Sequence, residues 1–332
     1  MKALIIIPFF LLSVNLLGQM KQVEVYGFRH LQTIYHGDTV DILIKSKKGD
    51  EFKKKPLFLF CQGSLPVPLI IKYNENGKQG IHNVFVFNTD SLCNKYHLAI
   101  IGKPSIPLIK DQKELNDDFT FIDSSKQFPE KYIKRNLLDY YVGRNIYVAK
   151  FLQNQNWVLS DKLVVAGHSE GSTVAAKMAL LFPKITHLIY SGGNPFGRIL
   201  SIIERQRTNE SDSGKSVEQE FMFWQNVVKH KNSMDASDGD THKATFDFSI
   251  PPIQYLRKLK IPVLVCYGTK DASSPYNDYL RVETMRERKD NFTFKAYVGT
   301  EHNYFPLKSN GEINYDIFNW DKVAGDWLLW LK

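Results

Sequence analysis

The chain has 332 residues, is 43% hydrophobic and 23% charged, and carries a formal net charge of +8. That apolar content excludes a disordered chain and is enough for one large core or two ordinary ones. The charge would suit a polyanionic partner, but its densest run, KSKKGDEFKKK (45–55), is interrupted by Gly49 and Asp50 between two apolar segments; it reads as a solvated hairpin turn, and nucleic acid is not an expected partner.

In chain order, the first feature is a targeting signal. MKALIIIPFFLLSVNLLGQ has one charge at Lys2, about sixteen mostly apolar residues, and small or polar residues at Gly18 and Gln19 where cleavage is expected. A spanning helix needs roughly twenty apolar residues, and Pro8 and Asn15 count against one. Residues 1–18 are therefore expected to be a secretory signal and 19–332 the working domain, secreted or periplasmic, with no stable membrane span after cleavage. Cys61, Cys93 and Cys266 are too few and too scattered for a disulfide scaffold or a zinc site. Cys61 and Cys266 sit in apolar runs as small buried hydrophobes, and a Cys61–Cys93 bond stays open.

Short apolar runs then alternate with helical patterns. Strands are expected at QVEVYGF (22–28), TVDILIK (39–45), PLFLFC (56–61), YHLAIIG (96–102), LVVAG (163–167), THLIYSG (186–192), PVLVCYG (262–268) and FTFKAYV (292–298). Apolar residues three and four apart predict helices over 132–155, over 170–182 and in the last turns, DKVAGDWLLWL. The first two strands follow each other without a helix, and the later ones alternate with helices. This order predicts an α/β fold: a mostly parallel eight-stranded sheet with an antiparallel start and helices on both faces. Residues 194–258 are more polar and too long for an ordinary connection, so they are expected to form a partly helical cap insertion that includes FMFWQNVV (221–228). Asp235, Asp238 and Asp240 within it lack the spacing of a calcium loop and read as a solvated turn.

LVVAGHSEGSTVAAKMALLF (163–182) carries the chemistry. Its G-x-S-x-G string directly follows a strand and directly precedes a helix, as a nucleophile elbow requires. Gly167 and Gly171 leave room for a cramped turn that pushes the Ser169 hydroxyl off the carboxyl edge of the sheet. His168 is expected to pack beside the turn. A serine needs a base to take its proton as it attacks. Of the histidines that follow it, His187 lies in a strand and His230 and His242 in the cap. His302, in YVGTEHNYFP, stands just beyond the last strand. The acid that orients the base is expected after the preceding strand, where PVLVCYGTKDASSP offers Asp271, with Asp278 and Glu301 as weaker candidates. The backbone N–H of Glu170 at the helix N-terminus supplies one oxyanion donor, and the N–H of Ser64, after Gly63 in PLFLFCQGSLPVP, is expected to supply the other.

Strand order together with GHSEG, GTKDASSP and GTEHNY resembles the α/β-hydrolase superfamily over roughly 40–332, in particular its esterases, dienelactone-hydrolase-like and prolyl-oligopeptidase-like enzymes. The resemblance implies Ser169 as nucleophile, Asp271 as acid, His302 as base, Ser64 and Glu170 as the oxyanion hole, and a cap after the sixth strand. Many relatives have His before the oxyanion-loop glycine, where this chain has Gln62. The expected activity is hydrolysis of a carboxylic ester through an acyl-enzyme. The alternatives are an exported peptidase of the prolyl-oligopeptidase type and a non-catalytic binding protein on the same fold. A small-molecule ester or short peptide is the expected partner, and neither cofactor nor metal is expected, because no metal-ligand spacing or dinucleotide-binding glycine fingerprint occurs.

Overall fold

The computed structural model describes residues 23–332 except 76, 77, 84, 209, 211–213, 238 and 239. The secretory signal read at 1–18, its cleavage point and Asp238 lie outside the described residues. Eight strands form the main sheet: β1 (Phe28–Tyr35), β2 (Asp38–Lys45), β3 (Lys55–Cys61), β4 (His97–Ile101), β5 (Val158–His168), β6 (His187–Ser191), β7 (Val263–Gly268) and β8 (Phe292–Tyr297), in the order β1-β2-β4-β3-β5-β6-β7-β8. β1 pairs antiparallel with β2 and β2 with β4; all other neighbours are parallel.

Seven of the expected strands fall on these elements, and the first does not. Residues 23–27 make a turn, in which the Tyr26 amide donates to the Val23 carbonyl and the Gly27 amide to that of Glu24, and the strand begins only at Phe28. The sequence hides β1 because its inward positions include a polar residue. His30 is buried, and its ring is paired with the Asp41 carboxylate at 2.8 Å. The hairpin that joins β1 to β2 turns at His36 and Gly37, both with positive φ (49° and 78°), as a right-twisted two-residue turn demands. The lysine-rich run is a turn, with Gly49 at φ 83°, but not a hairpin: β2 and β3 are separated by β4. Asp50 in that turn pairs with Lys53 and Lys55. A smaller sheet of Ile70–Glu75, Lys78–Asn83 and Ile109–Asp111, not foreseen from the sequence, flanks the main one in the chain.

The central strands read as continuous apolar runs because both faces of the sheet are covered. In β3, Leu57, Leu59 and Cys61 join one core layer and Phe58 and Phe60 the other; in β5, Leu163 and Val165 alternate in the same way with Val164 and Ala166. The first layer is closed by α1 (Leu138–Gln153) and α2 (Glu170–Leu181). Each such fully buried Leu, Val or Phe contributes about 1.5–3 kcal/mol. The helix expected over 132–155 is broken at Asn136 and Leu137, separating Glu130–Arg135 from α1. Asn136 is buried, and its side chain is engaged by Tyr141 Oη and by Asp240 rather than by a helix continuing through it.

Between β6 and β7 the chain makes α3 (Arg198–Thr208), α4 (Lys215–Lys229) and α5 (His242–Phe248). Ile199, Ile203 and Val217 form a small apolar cluster of their own between α3 and α4, separate from the two main layers. After β7 comes α6 (Ser274–Arg286), and after β8 the chain ends in α7 (Trp320–Trp330), whose fully buried Trp327 packs on Phe58 and Phe60 in the second layer. Cys61, Cys93 and Cys266 are buried free thiols, so the open Cys61–Cys93 bond is not formed.

Candidate active site

β5 runs to His168 and α2 begins at Glu170, so the change of direction falls on Ser169 alone. Its φ of 57° and ψ of −128° are conformations that side chains avoid, at a cost of about 1–3 kcal/mol. The surroundings enforce it. The Ser169 amide donates to the Ser191 carbonyl on β6 at 2.9 Å, and its carbonyl accepts from the Ser172 amide at 3.0 Å and from Ser172 Oγ at 2.6 Å. A Cβ on Gly167 would stand 2.0 Å from the Gly171 carbonyl oxygen, and one on Gly171 would stand 2.1 Å from the carbonyl oxygen of Cys61 at the end of β3. Both glycines are thus required by backbone contact. The second brings the elbow against the neighbouring strand.

The loops after β7 and β8 converge on the same edge. Asp271 is buried, and its Oδ2 lies 2.9 Å from His302 Nδ1. The Ser273 amide and hydroxyl hold the carboxylate at 3.1 and 2.8 Å. Burial pushes the Asp271 carboxyl up, but the His302 hydrogen bond and charge, with the Ser273 donors, outweigh it and hold it below the ordinary range. A carboxylate at Nδ1 fixes the proton there and leaves the lone pair on Nε2. Ser169 and His302 line one pocket of about 200 Å³, on the sheet edge where strand order reverses between β3 and β5.

The other candidates are occupied elsewhere. Asp278 on α6 accepts from Tyr267 Oη, and Glu301 accepts from the amides of Asn303 and Phe305. His187 bonds Thr186 Oγ1, and the rings of His230 and His242 lie 6.1 Å apart in the insertion. His168 packs with its ring centroid 4.9 Å from that of His302, and its two nitrogens are bonded to Ser191 Oγ and Asn303 Oδ1. Burial first, and then the neighbouring His302, push it down to about 3, so it stands beside the pair as a neutral ring.

The loop after β3 reaches the nucleophile: a Cβ on Gly63 would lie 3.6 Å from Cβ of Ser169, and Ser64 and Glu170 line the pocket with it. Gln62 turns away and donates to the Ile101 carbonyl at 2.7 Å. The remaining walls are mostly polar, with Thr173, Asn194 and Ser201 set against Ile202 and Phe248. One further residue, Arg198, escapes the sequence reading, which takes Asp240 for a solvated turn residue. Arg198, the first residue of α3, pairs with both the Glu170 carboxylate and Asp240, and both Arg198 and Asp240 line the pocket. Asp240 is therefore not a solvated turn residue, because its charge is taken up by Arg198 and Asn136. No local pattern could have found this pair, which lies 42 residues apart and meets only through the fold. Among the described residues no three His, Cys, Asp or Glu side chains cluster as metal ligands do.

No family model matches the sequence, and no curated protein matches it. Solved structures do match the fold. Est1E from Butyrivibrio proteoclasticus superposes with a TM-score of 0.50 at 16% identity, over 91% of this chain and 97% of its own. Acetyl xylan esterase 1 from Thermoanaerobacterium gives 0.50 at 12% identity, over 92% of this chain and 83% of its own. A putative dipeptidyl aminopeptidase IV from Bacteroides ovatus gives 0.56 at 10% identity, over 91% of this chain; the chain spans only 35% of that longer protein.

Proposed function

We propose that this chain, which has the α/β-hydrolase fold, is a serine hydrolase that cleaves a small polar carboxylic ester through an acyl-enzyme. The observation that carries the reading is the strained Ser169 sharing a pocket with His302, itself held by a buried Asp271 at 2.9 Å. His302 Nε2 takes the hydroxyl proton as Ser169 Oγ attacks the carbonyl carbon. The C–O bond to the leaving alcohol then breaks as the imidazolium returns the proton to it. Water, deprotonated by the same ring, releases the acid and restores the serine. The amides of Ser64 and Glu170 receive the oxyanion, where one donor is worth about a hundredfold to a thousandfold in turnover.

The polar walls of a pocket of about 200 Å³ favour a short acyl group over a long aliphatic one, since a hydrocarbon tail there would take the charged Arg198, Arg205 and Asp240 that line it out of water. Export is part of the same proposal, and it rests on the leader read in the sequence. A fluorophosphonate probe is expected to label the protein, with the adduct mapping to the Ser169 peptide. Absence of labelling and of turnover would leave a binding protein on this fold. Acyl p-nitrophenyl esters compared with aminoacyl and prolyl anilides by kcat/KM decide the bond: faster anilide turnover would make the enzyme a peptidase.

A further inference from the structure

Lys103 lies just beyond the carboxyl end of β4, with its side chain only 3% exposed. Its ammonium donates to the Ser64 carbonyl at 2.6 Å and stands 3.9 Å from the Glu170 carboxylate. These are the two residues whose amides are assigned to the oxyanion hole, and they come from separate loops, after β3 and after β5. The Tyr132 hydroxyl donates to the same Ser64 carbonyl at 3.1 Å. A buried cation is costly and is retained only where its charge and donors are used. We propose that Lys103 is a positioning residue that ties Ser64 to Glu170 and so sets the spacing of the two oxyanion donors.

The inference rests on the serine hydrolase reading above. It makes the catalytic geometry depend on the charge of one lysine, because a neutral amine is a weaker donor to Ser64 and has no attraction for Glu170. The groups that face it are Glu170 on α2, Tyr141 and Arg144 on α1, Tyr132 on the short helix before it, and Arg198 and Asp240 from the insertion. Gln62 and Cys61 border it in one cavity, and Asp38, Asp41 and Lys131 in another. Burial pushes the Lys103 ammonium down to about 7; Asp240 opposes this, and Arg144 and Arg198 add to it. Its proton is therefore lost near neutral pH.

The test compares the wild type, Lys103→Met, Lys103→Arg and Tyr132→Phe on a short-chain p-nitrophenyl ester from pH 5.5 to 9.5, with melting curves for each. In Lys103→Met, kcat is expected to fall about a hundredfold with KM little changed, as when an oxyanion donor is misplaced. The wild type is expected to lose kcat above about pH 7 and to converge on the Lys103→Met rate near pH 9, a descending limb that Lys103→Met lacks and that Lys103→Arg, always charged, carries past pH 9. Tyr132→Phe keeps the limb. A wild-type kcat that stays flat from pH 7 to 9.5 overturns the proposal even if the lysine variants fail to fold. So does a folded Lys103→Met with wild-type kcat. Either result with Ser169 still labelled by fluorophosphonate sinks only the role of Lys103, whereas a wild type that neither labels nor turns over sinks the hydrolase reading as well.

Discussion

Replacing Ser169 by glycine is expected to stabilise the protein while abolishing turnover. Ser169 holds φ 57° and ψ −128°, and a Cβ in that region costs about 1–3 kcal/mol, which Ser169→Gly removes and Ser169→Ala does not. Against this stands the greater freedom of glycine in the unfolded chain, about 0.4–1 kcal/mol. The hydrogen bonds at this residue, to Ser191 and from Ser172, use backbone atoms of Ser169 and survive both changes. The net gain for glycine over alanine is on the order of 1 kcal/mol, which raises the melting temperature by roughly 1–2 °C in a chain of this length. Calorimetry or a dye-based melt of the two inactive variants side by side measures it. If Ser169→Gly melts at or below Ser169→Ala, the turn is not strained, and the argument that the fold forces the hydroxyl outward fails.

Three further outcomes follow from the site. Asp271→Asn is expected to lower kcat about ten-thousandfold with the fold intact, because the amide no longer fixes the proton on His302 Nδ1; a loss under tenfold would remove Asp271 from the mechanism. Gly171→Ala drives a Cβ to within 2.1 Å of the Cys61 carbonyl, a backbone atom that cannot rotate away, so a loss of about 1–3 kcal/mol is expected in urea unfolding. His168 titrates near 3 when folded and near 6.5 when unfolded, so between those values the unfolded state binds the extra proton and stability falls as pH falls. The slope approaches about 1.4 kcal/mol per pH unit, and His168→Gln should flatten it when urea midpoints are compared from pH 6.5 to 4.

The sheet was readable in the sequence because strands covered on both faces must be apolar throughout, and such runs announce themselves at β3, β5, β6 and β7. β1 was not, since its inward His30 is made tolerable only by Asp41 on the neighbouring strand. A second error had the same cause. The break at Asn136 looks like continuous helix in the periodicity, because the partner that uses its amide, Asp240, comes 104 residues later.

At the site, the chain alone determined what must be local. The elbow is five consecutive residues whose glycines are demanded by backbone contact within the turn and with the next strand, and Asp271 and His302 follow their strands closely enough to be picked by position as the candidate acid and base. Only the folded structure decided which charges meet at the pocket. Lys103, Glu170, Arg198 and Asp240 come from four separate segments; Glu170 is marked in the sequence only for its amide in the elbow, Lys103, Arg198 and Asp240 carry no motif, and nothing local says that these four charges meet. The physical reason is the range of the interaction that selects each residue. Steric limits on a turn act between neighbours in the chain, whereas a buried ion network is defined by what has been taken out of water, which no short stretch of sequence records.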